Sequence, residues 1–261
     1  MSPPVLILAG KRAGAVDAIA SAAGVSHKCI APVAGEPMIL HVVRTVAQAM
    51  PGAPILVSID QARAIDGLPE IATLIRSGRL SIATASDNIV DSIATAVCTA
   101  RFPVIVTTAD NVLLSVETLN RFAGFGPASG ADAVVAVTRR EAVLAAHGEG
   151  QRRFYELRDG AYSNCNLYWL GNARALKAAE AFRGGGQFAK HPARIVAAFG
   201  VINLIRFRYR LVSLAGLFGH LGKRFGVVIK PLTLSDGSQS IDVDNECTLR
   251  VTEELLARQA A

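Results

Sequence analysis

The sequence predicts an α/β fold: a Rossmann-like, three-layer α/β/α arrangement around a mostly parallel central sheet. Uninterrupted apolar runs such as Val5–Leu8 and Ile55–Ile59 lack polar alternation, which is typical of strands buried on both faces. Apolar residues at helical spacing lie between these runs, so strands and helices alternate along the chain. A chain of 261 residues, of which only 18% are charged, can bury one large core, and disorder is not expected.

The first apolar run is followed by a basic, glycine-containing segment with Gly10, Lys11, Arg12 and Gly14. Glycine allows positive backbone dihedrals and close approach of the backbone to a ligand, and the two cationic side chains favour an anion. The segment has neither the Walker-loop spacing nor the G-x-G-x-x-G spacing of dinucleotide-binding proteins. From these residues alone, an anion-binding loop and an ordinary basic turn both stay open.

The middle of the chain continues the alternation. Apolar spacing predicts helices over residues 18–24, 38–50 and 65–77 and a fourth helix that begins near residue 89. Strands are predicted over residues 55–59 and 80–83. Asp87 or Asn88 is the candidate cap of the fourth helix.

A further hydrophobic strand begins at Val104 and ends in an aspartate, Asp110. Open α/β sheets bind ligands at the carboxyl ends of their strands, which makes Asp110 a candidate site residue. Taken alone, an aspartate after a strand is most often a turn former. Ser115 is the expected cap of the helix that follows.

Two pairs of polar residues stand out in the second half of the chain. Asn164 and Asn166 fall on one face of their predicted strand because strand side chains alternate, and the same alternation places Asp242 and Asp244 on one face. The elements predicted here are a strand over residues 133–138, a hairpin over 152–162 with Asp159-Gly160 at its turn, a strand over 164–170, a helix over 172–183, a glycine connection over 184–186 and a closing helix over 252–259.

Five segments together resemble the MobA-like nucleotidyltransferases, relatives of the sugar-phosphate, cobinamide-phosphate and molybdopterin nucleotidyltransferases. They are L-A-G-x-R at residues 8–12, H-K-x-x-x-P-x-x-G-x-P-M at 27–38, the strand before Asp110, the strand that contains Asn164, and the D-x-D at 242–244. The resemblance implies the nucleotide-diphospho-sugar transferase type of fold. It also implies an enzyme that transfers NMP from an NTP to a phosphorylated acceptor and releases pyrophosphate.

The resemblance assigns roles to individual residues. It implies that residues 9–12 (Ala9, Gly10, Lys11 and Arg12) and Lys28 hold the NTP, and that Arg12, Lys28 and Asp110 serve catalysis. It implies that Asp110 and Asp244 bind catalytic Mg²⁺, with Asp242 as the alternative ligand, and that Asn164 and Asn166 contact the acceptor. The chain departs from the family pattern at Lys11, Val112 and Asn166, and at residues 245–248.

Composition excludes several other classes. Four scattered cysteines without a C-x-x-C pair indicate neither a zinc site nor a disulfide framework, and the histidines form no Ser-His-Asp or Cys-His arrangement. No stretch approaches the about 20 apolar residues of a spanning helix, and the N-terminal apolar run is too short for a signal peptide. We therefore expect a cytoplasmic protein. The sequence does not indicate its oligomeric state.

We expect one nucleotidyltransferase domain over residues 1–261, with a basic, apolar, helical insertion at about 187–230. Residues 194–230 contain seven basic residues and no acidic one: Arg194, Arg206, Arg208, Arg210, Lys223, Arg224 and Lys230. This segment could simply pack on the sheet with solvated arginines. It could instead contact an anionic membrane or a lipid-like acceptor, in keeping with the net charge of +6.

Two other functions stay open at this stage. A GT-A glycosyltransferase shares such a sheet but predicts D-x-D after the central strand, where this chain has Asp110-Asn111-Val112. A catalytically silent nucleotide-binding protein would account for Lys11 and the altered segment after Asp244. Nucleic-acid binding has the least support, because the basic residues lie in an apolar segment without a recognisable reader motif.

Overall fold

The computed structural model describes residues 2–11, 17–86, 88–99, 101–179 and 208–260. The strands in these ranges are β1 (Val5–Leu8), β2 (Pro32–Val33), β3 (Glu36–Pro37), β4 (Ile55–Ile59), β5 (Leu80–Thr84), β6 (Val104–Thr108), β7 (Ala133–Arg139), β8 (Tyr155–Leu157), β9 (Gly160–Leu170) and β10 (Ile229–Leu234). The helices are α1 (Ala18–Ala22), α2 (Met38–Ala49), α3 (Pro69–Arg76), α4 (Ile89–Thr99), α5 (Val116–Ala128), α6 (Arg140–Ala146), α7 (Ala175–Ala179), α8 (Leu214–Phe225) and α9 (Glu246–Ala260). Arg12, Gly14, Asp87, the glycines at 184–186, Arg194 and Arg206 lie outside the described residues.

One eight-stranded sheet forms the centre, in the order β10-β7-β9-β6-β1-β4-β5, with β8 paired to β9. β1 lies between β4 and β6 and is parallel to both, and the β4–β5 and β7–β10 pairs are also parallel. Only β9 and its partner β8 introduce antiparallel pairing within this sheet. The predicted mostly parallel sheet is therefore confirmed.

Apolar side chains cover both faces of the sheet. Val5 and Ile7 of β1 pack in a large cluster with α2, α3 and α5, whereas Leu6 packs in a second cluster with residues of α4 and α7. Successive residues of a strand point to opposite faces, so an apolar run without alternation needs helices on both sides. The three-layer prediction is confirmed.

Several predicted boundaries were wrong. The strand predicted over residues 164–170 already begins at Gly160, and the helix predicted from residue 172 begins at Ala175. The helix predicted over residues 65–77 begins only at Pro69, because proline suits the first helical position, where no N–H bond is needed. The two-residue hairpin turn consists of Arg158 and Asp159, and Gly160 already pairs with Leu157. The last helix begins at Glu246, well before residue 252. The Asn245 side chain accepts from the Thr248 amide at 3.1 Å and so caps this earlier start.

The described part of the basic segment is largely the helix α8. Its Leu214, Phe218 and Leu221 are buried against Val137 of β7 and Tyr162 of β9. The helical prediction is confirmed for these residues, and the apolar face of α8 is used for packing. The extent of the insertion and the single-domain assignment stay predictions.

Candidate active site

Lys28 is the centre of the polar cluster at the carboxyl ends of β1 and β6. Its Nζ lies 2.5 Å from Oδ2 of Asp110 and 2.9 Å from Oδ1 of Asp244. Burial opposes the charge of the lysine, but the two carboxylates outweigh it and hold the Lys28 pKa above its usual value. The ammonium group therefore stays charged at physiological pH.

Asp110 is placed by the end of β6 and by a backbone contact. Thr108 Oγ1 donates to Asp110 Oδ1 at 2.5 Å, and the Asp110 carbonyl accepts from the amide of Val243 at 3.3 Å. The second contact brings the segment around Val243 beside β6. Asp110 and Asp244 thus approach the same ammonium group from different parts of the chain.

Asp242 and Asp244 do not share one strand face, and that prediction was wrong. The Asp244 amide donates to the Asp242 carbonyl at 3.0 Å, which closes a tight turn and removes the alternation of a strand. Asp244 contacts Lys28, whereas Asp242 Oδ2 accepts from Asn166 Nδ2 at 2.7 Å. Burial, with repulsion from Asp110 and Asp244, raises the pKa of Asp242 well above its usual value.

Asn164 and Asn166 form a polar network on β9, on the same face as predicted. Asn164 Nδ2 donates to Asn166 Oδ1 at 2.9 Å and to the hydroxyl of Tyr168 at 2.5 Å. Because Asn166 directs its amide nitrogen at the Asp242 carboxylate, its Oδ1 faces Asn164, which must then donate from Nδ2. These bonds determine the orientation of both side-chain amides. Oδ1 of Asn164 and Oδ1 of Asp242 are then buried without a hydrogen-bond partner among the described residues.

Asn166 also has an unusual backbone conformation. Its φ is +47°, in the left-handed region that glycine occupies easily and that asparagine tolerates better than most residues. The pairing of β7 with β9 shifts register nearby, between Val135 and Val137. Asn166 therefore has a backbone conformation that favours glycine, and its side chain contacts Asp242.

Residues 9–11, the described part of the segment after β1, are hydrogen-bonded to Ser58 of β4 and to Asp60, which follows β4. The Ala9 amide donates to the Ser58 carbonyl at 2.8 Å, and the Lys11 amide donates to Oδ1 of Asp60 at 3.1 Å. Oδ2 of Asp60 lies 3.2 Å from Nε2 of the buried His27. Burial works against the charge of Asp60, but the Lys11 amide and His27 outweigh it and lower its pKa.

Asp60 and His27 were not among the predicted site residues. A signal was present, because Asp60 directly follows the buried strand β4 just as Asp110 comes shortly after β6. Of the residues expected to bind the NTP, the structure places Ala9, Gly10 and Lys11 in the segment beside Asp60. Arg12 lies outside the described residues.

The donor chemistry of the site suits magnesium. Carboxylate oxygens from Asp110 and Asp244, and the unpartnered oxygen of Asp242, are the hard donors that Mg²⁺ prefers. In the described ranges, no three His, Cys, Asp or Glu side chains are grouped tightly enough for a metal ion. The Lys28 ammonium occupies the space between Asp110 and Asp244.

Residues 5–197 match the family model of the MobA-like NTP transferase domain. The chain belongs to this family. The match ends before Asp242 and Asp244, whose position beside Asp110 comes from the structure. No match was found among curated proteins.

Solved structures of this fold class are similar over nearly the whole chain. A hypothetical transferase from Thermus thermophilus has 22% identity and a TM-score of 0.75, and the match covers 95% of this chain and 100% of that one. CMP:2-keto-3-deoxy-manno-octonic acid synthetase complexed with CTP has 12% identity and a TM-score of 0.58, covering 98% and 99%. A putative glucose-1-phosphate thymidylyltransferase from Bacillus anthracis has 14% identity and a TM-score of 0.57, covering 98% and 95%. At these identities the likeness shows the fold alone.

Helices that could span a membrane are absent from the part of the chain that the structure describes. None of its helices combines the length and the apolar character that crossing a membrane requires.

Proposed function

We propose that this protein transfers NMP from an NTP to a phosphorylated acceptor, a sugar, alcohol or cofactor phosphate, and releases pyrophosphate. The observation that carries the proposal is the Lys28 ammonium group held between Asp110 and Asp244 at the carboxyl ends of β1 and β6. Membership of the MobA-like NTP transferase family supports the reaction class.

In this reaction an acceptor phosphate oxygen attacks the α-phosphorus in line with the departing pyrophosphate. Charge neutralisation and positioning supply most of the rate enhancement, and little covalent work falls to the protein. Lys28 would move from the carboxylates to the α-phosphate and offset its growing negative charge, together with Arg12. The acceptor oxygen is already ionised, so no general base is required.

Magnesium would be held by Asp110 and Asp244, and when bound it would offset phosphate charge and orient the triphosphate. In the chain itself, the Lys28 ammonium group balances the charges of Asp110 and Asp244 and so keeps these two carboxylates close together. Asp242 stays a second candidate ligand because its Oδ1 has no partner among the described residues.

The acceptor would bind beside Asn164 and Asn166. A buried oxygen without a donor is energetically costly, so the unpartnered Oδ1 of Asn164 favours an acceptor that brings a hydroxyl donor. Asn166 would hold Asp242 in place through its 2.7 Å bond. This arrangement supports a hydroxylated phosphate acceptor.

A glycosyltransferase is less well supported. Such an enzyme would carry a second carboxylate two residues after Asp110, where this chain has the buried, apolar Val112. Between them, Asn111 Nδ2 donates to Thr107 Oγ1 and to the Cys165 carbonyl. The Asn111 side chain is therefore engaged inside the fold. A catalytically silent protein would bind NTP without releasing pyrophosphate.

The deciding experiment measures pyrophosphate release for each NTP with Mg²⁺ and pooled sugar, alcohol and cofactor phosphates. We expect release with one NTP and one acceptor class, and loss of release in Lys28→Ala. Binding of NTP without release would favour the silent protein, and turnover of a nucleotide sugar would favour the glycosyltransferase. Because free NTPs are cytoplasmic, we propose that location for the enzyme.

A further inference from the structure

Two adjacent residues contact carboxylates on opposite sides of β1. Lys28 contacts Asp110, which follows β6, and His27 contacts Asp60, which follows β4. β1 lies between these two strands, so the segment 27–28 spans the carboxyl end of β1. Asp110 was expected from the family motif. Asp60 has no role in the proposed chemistry so far.

The Asp60 carboxylate joins three segments of the chain. One oxygen accepts from the Lys11 amide at 3.1 Å and the other lies 3.2 Å from His27 Nε2, while His27 Nδ1 lies 2.9 Å from the Ser26 hydroxyl. Both ring nitrogens of this buried histidine are therefore engaged. The residue before Lys28 and the segment after β1 are held by the same side chain.

The segment after β1 is also seated closely against its neighbours. A Cβ at Gly10 would lie 2.8 Å from the Cβ of Ala85, which follows β5. Such a distance leaves no space for a side chain. The backbone next to the Asp60 contact is thus confined on the side of β5 as well.

An ionised carboxylate at this place opposes the binding of a triphosphate. The Asp60 side chain is 27% exposed, so its negative charge would repel a triphosphate that binds to the neighbouring residues 9–11. If Asp60 nevertheless favours NTP binding, a favourable interaction of this residue must outweigh that repulsion. The bonds to Lys11 and His27 provide that interaction.

We propose that Asp60 is a positioning residue that holds residues 9–11, after β1, and the His27-Lys28 segment in the geometry that binds NTP. The identity of the ligand as NTP rests on the proposed function. That Asp60 holds the two segments does not depend on it. The role is one of hydrogen bonding, and the negative charge itself is unfavourable for the ligand.

Two substitutions separate the effect of the Asp60 charge from that of its hydrogen bonds, because the two effects change the Kd for NTP in opposite directions. Asp60→Asn removes the charge, keeps an oxygen for the Lys11 amide and offers a donor to His27 Nε2. Asp60→Ala removes the charge and both bonds. We expect the Kd for NTP, measured by calorimetry, to stay equal or fall in Asp60→Asn and to rise at least about 10-fold in Asp60→Ala. The KM for the acceptor should stay unchanged in both variants.

Other results would overturn the inference. Tighter binding in both variants would leave only an electrostatic effect, and equal weakening in both would mean that the charge itself is needed. Wild-type affinity in Asp60→Ala would remove any role. The exposed Asp66→Ala serves as a matched control and should keep the wild-type Kd.

Hydrogen exchange tests the structural part without a ligand. The Lys11 amide should exchange faster in Asp60→Ala than in the wild type, and should stay protected in Asp60→Asn. If the wild type binds no NTP, the proposed function fails, and the exchange rates still decide whether Asp60 holds the segment. Unchanged exchange in Asp60→Ala would overturn the inference whatever the ligand is.

Discussion

Lys28 Nζ lies 2.9 Å from Oδ1 of Asp244, although the two residues stand near opposite ends of the chain. Asp244 is 70% exposed, so this contact alone contributes little to stability. Its meaning is geometric: the contact places an exposed carboxylate beside the more buried pair of Lys28 and Asp110. A ligand that replaces the lysine between these carboxylates would find two acidic side chains already together.

Lys28→Ala and Asp110→Asn should each reduce turnover by at least about 100-fold, because each removes a preorganised charge at the reacting centre. The measurement is pyrophosphate release with the NTP and acceptor that the panel identifies. Circular dichroism should report an intact fold. The exposed Lys223→Ala on α8 is the matched control, and near-wild-type turnover in Lys28→Ala or Asp110→Asn would contradict the proposed site.

Asp244→Asn should lose a comparable part of its turnover, and high Mg²⁺ should restore some of it. Asp110 would remain as a carboxylate ligand, so the metal would bind more weakly but still bind. Titration of activity with Mg²⁺ measures this. If instead Asp242→Asn loses turnover that high Mg²⁺ restores, and Asp244→Asn does not, Asp242 is the metal ligand. Asp244 then only balances the charge of Lys28.

Asn166→Ala should be less stable than Asn166→Gly by about 1 kcal/mol, because only alanine is strained at a φ of +47°. Both variants lose the bond to Asp242, so their comparison isolates the backbone term. Urea unfolding of the two proteins measures the difference. Equal stability would mean that the segment relaxes out of the left-handed region.

Asp132 should make the protein sensitive to acid. Its side chain is 5% exposed and accepts from Asn172 Nδ2, the Val228 amide and Arg174. The bond from Asn172, then that from Val228, lowers the Asp132 pKa, against the effect of burial.

Because the folded pKa lies below the ordinary value of about 3.9, the contribution of Asp132 is complete above that value. It is lost as the pH falls towards the folded pKa. At pH 7 we expect Asp132→Asn to cost about 1–3 kcal/mol, and the difference from the wild type to shrink as the pH falls below 4. Urea unfolding between pH 7 and pH 3 measures it. A difference that stays constant over that range would contradict the assignment.

The exposed residues before α8 test the alternative in which the basic segment contacts an anionic membrane. Arg208, Tyr209, Arg210 and Leu211 are exposed, whereas the apolar face of α8 is packed on the sheet. If these exposed residues contact an anionic membrane, the protein should sediment with anionic but not neutral liposomes at low salt, since each basic residue near an anionic surface contributes about 1 kcal/mol.

Replacement of Arg206, Arg208 and Arg210 by glutamine should weaken this sedimentation. The same change at the exposed Arg76, Arg152 and Arg258 is a control with equal net charge and should keep it. Equal loss in both triple variants would indicate only a general charge effect. Absence of binding to either kind of liposome would leave the packing role alone.

Much of the fold could be predicted from the sequence because its signals are local. The doubly buried strands at Val5–Leu8 and Ile55–Ile59 needed only their own residues to be recognised, and α2 needed only its apolar spacing. Lys28 and Asp110 could be predicted as site residues because each belongs to a short motif beside such an element, and their roles stay predictions.

The tertiary structure alone decided which of these residues meet. The pairing of Asp60 with His27, the bond from Asn166 to Asp242, and the separation of Asp242 from Asp244 by a tight turn have no local sequence signal. They depend on β1 lying between β4 and β6, and on the backbone bond that brings Val243 to Asp110. Hydrophobic patterns determine which face of an element is buried, but the order of strands follows from packing of the whole chain, and that order determines which polar side chains come into contact.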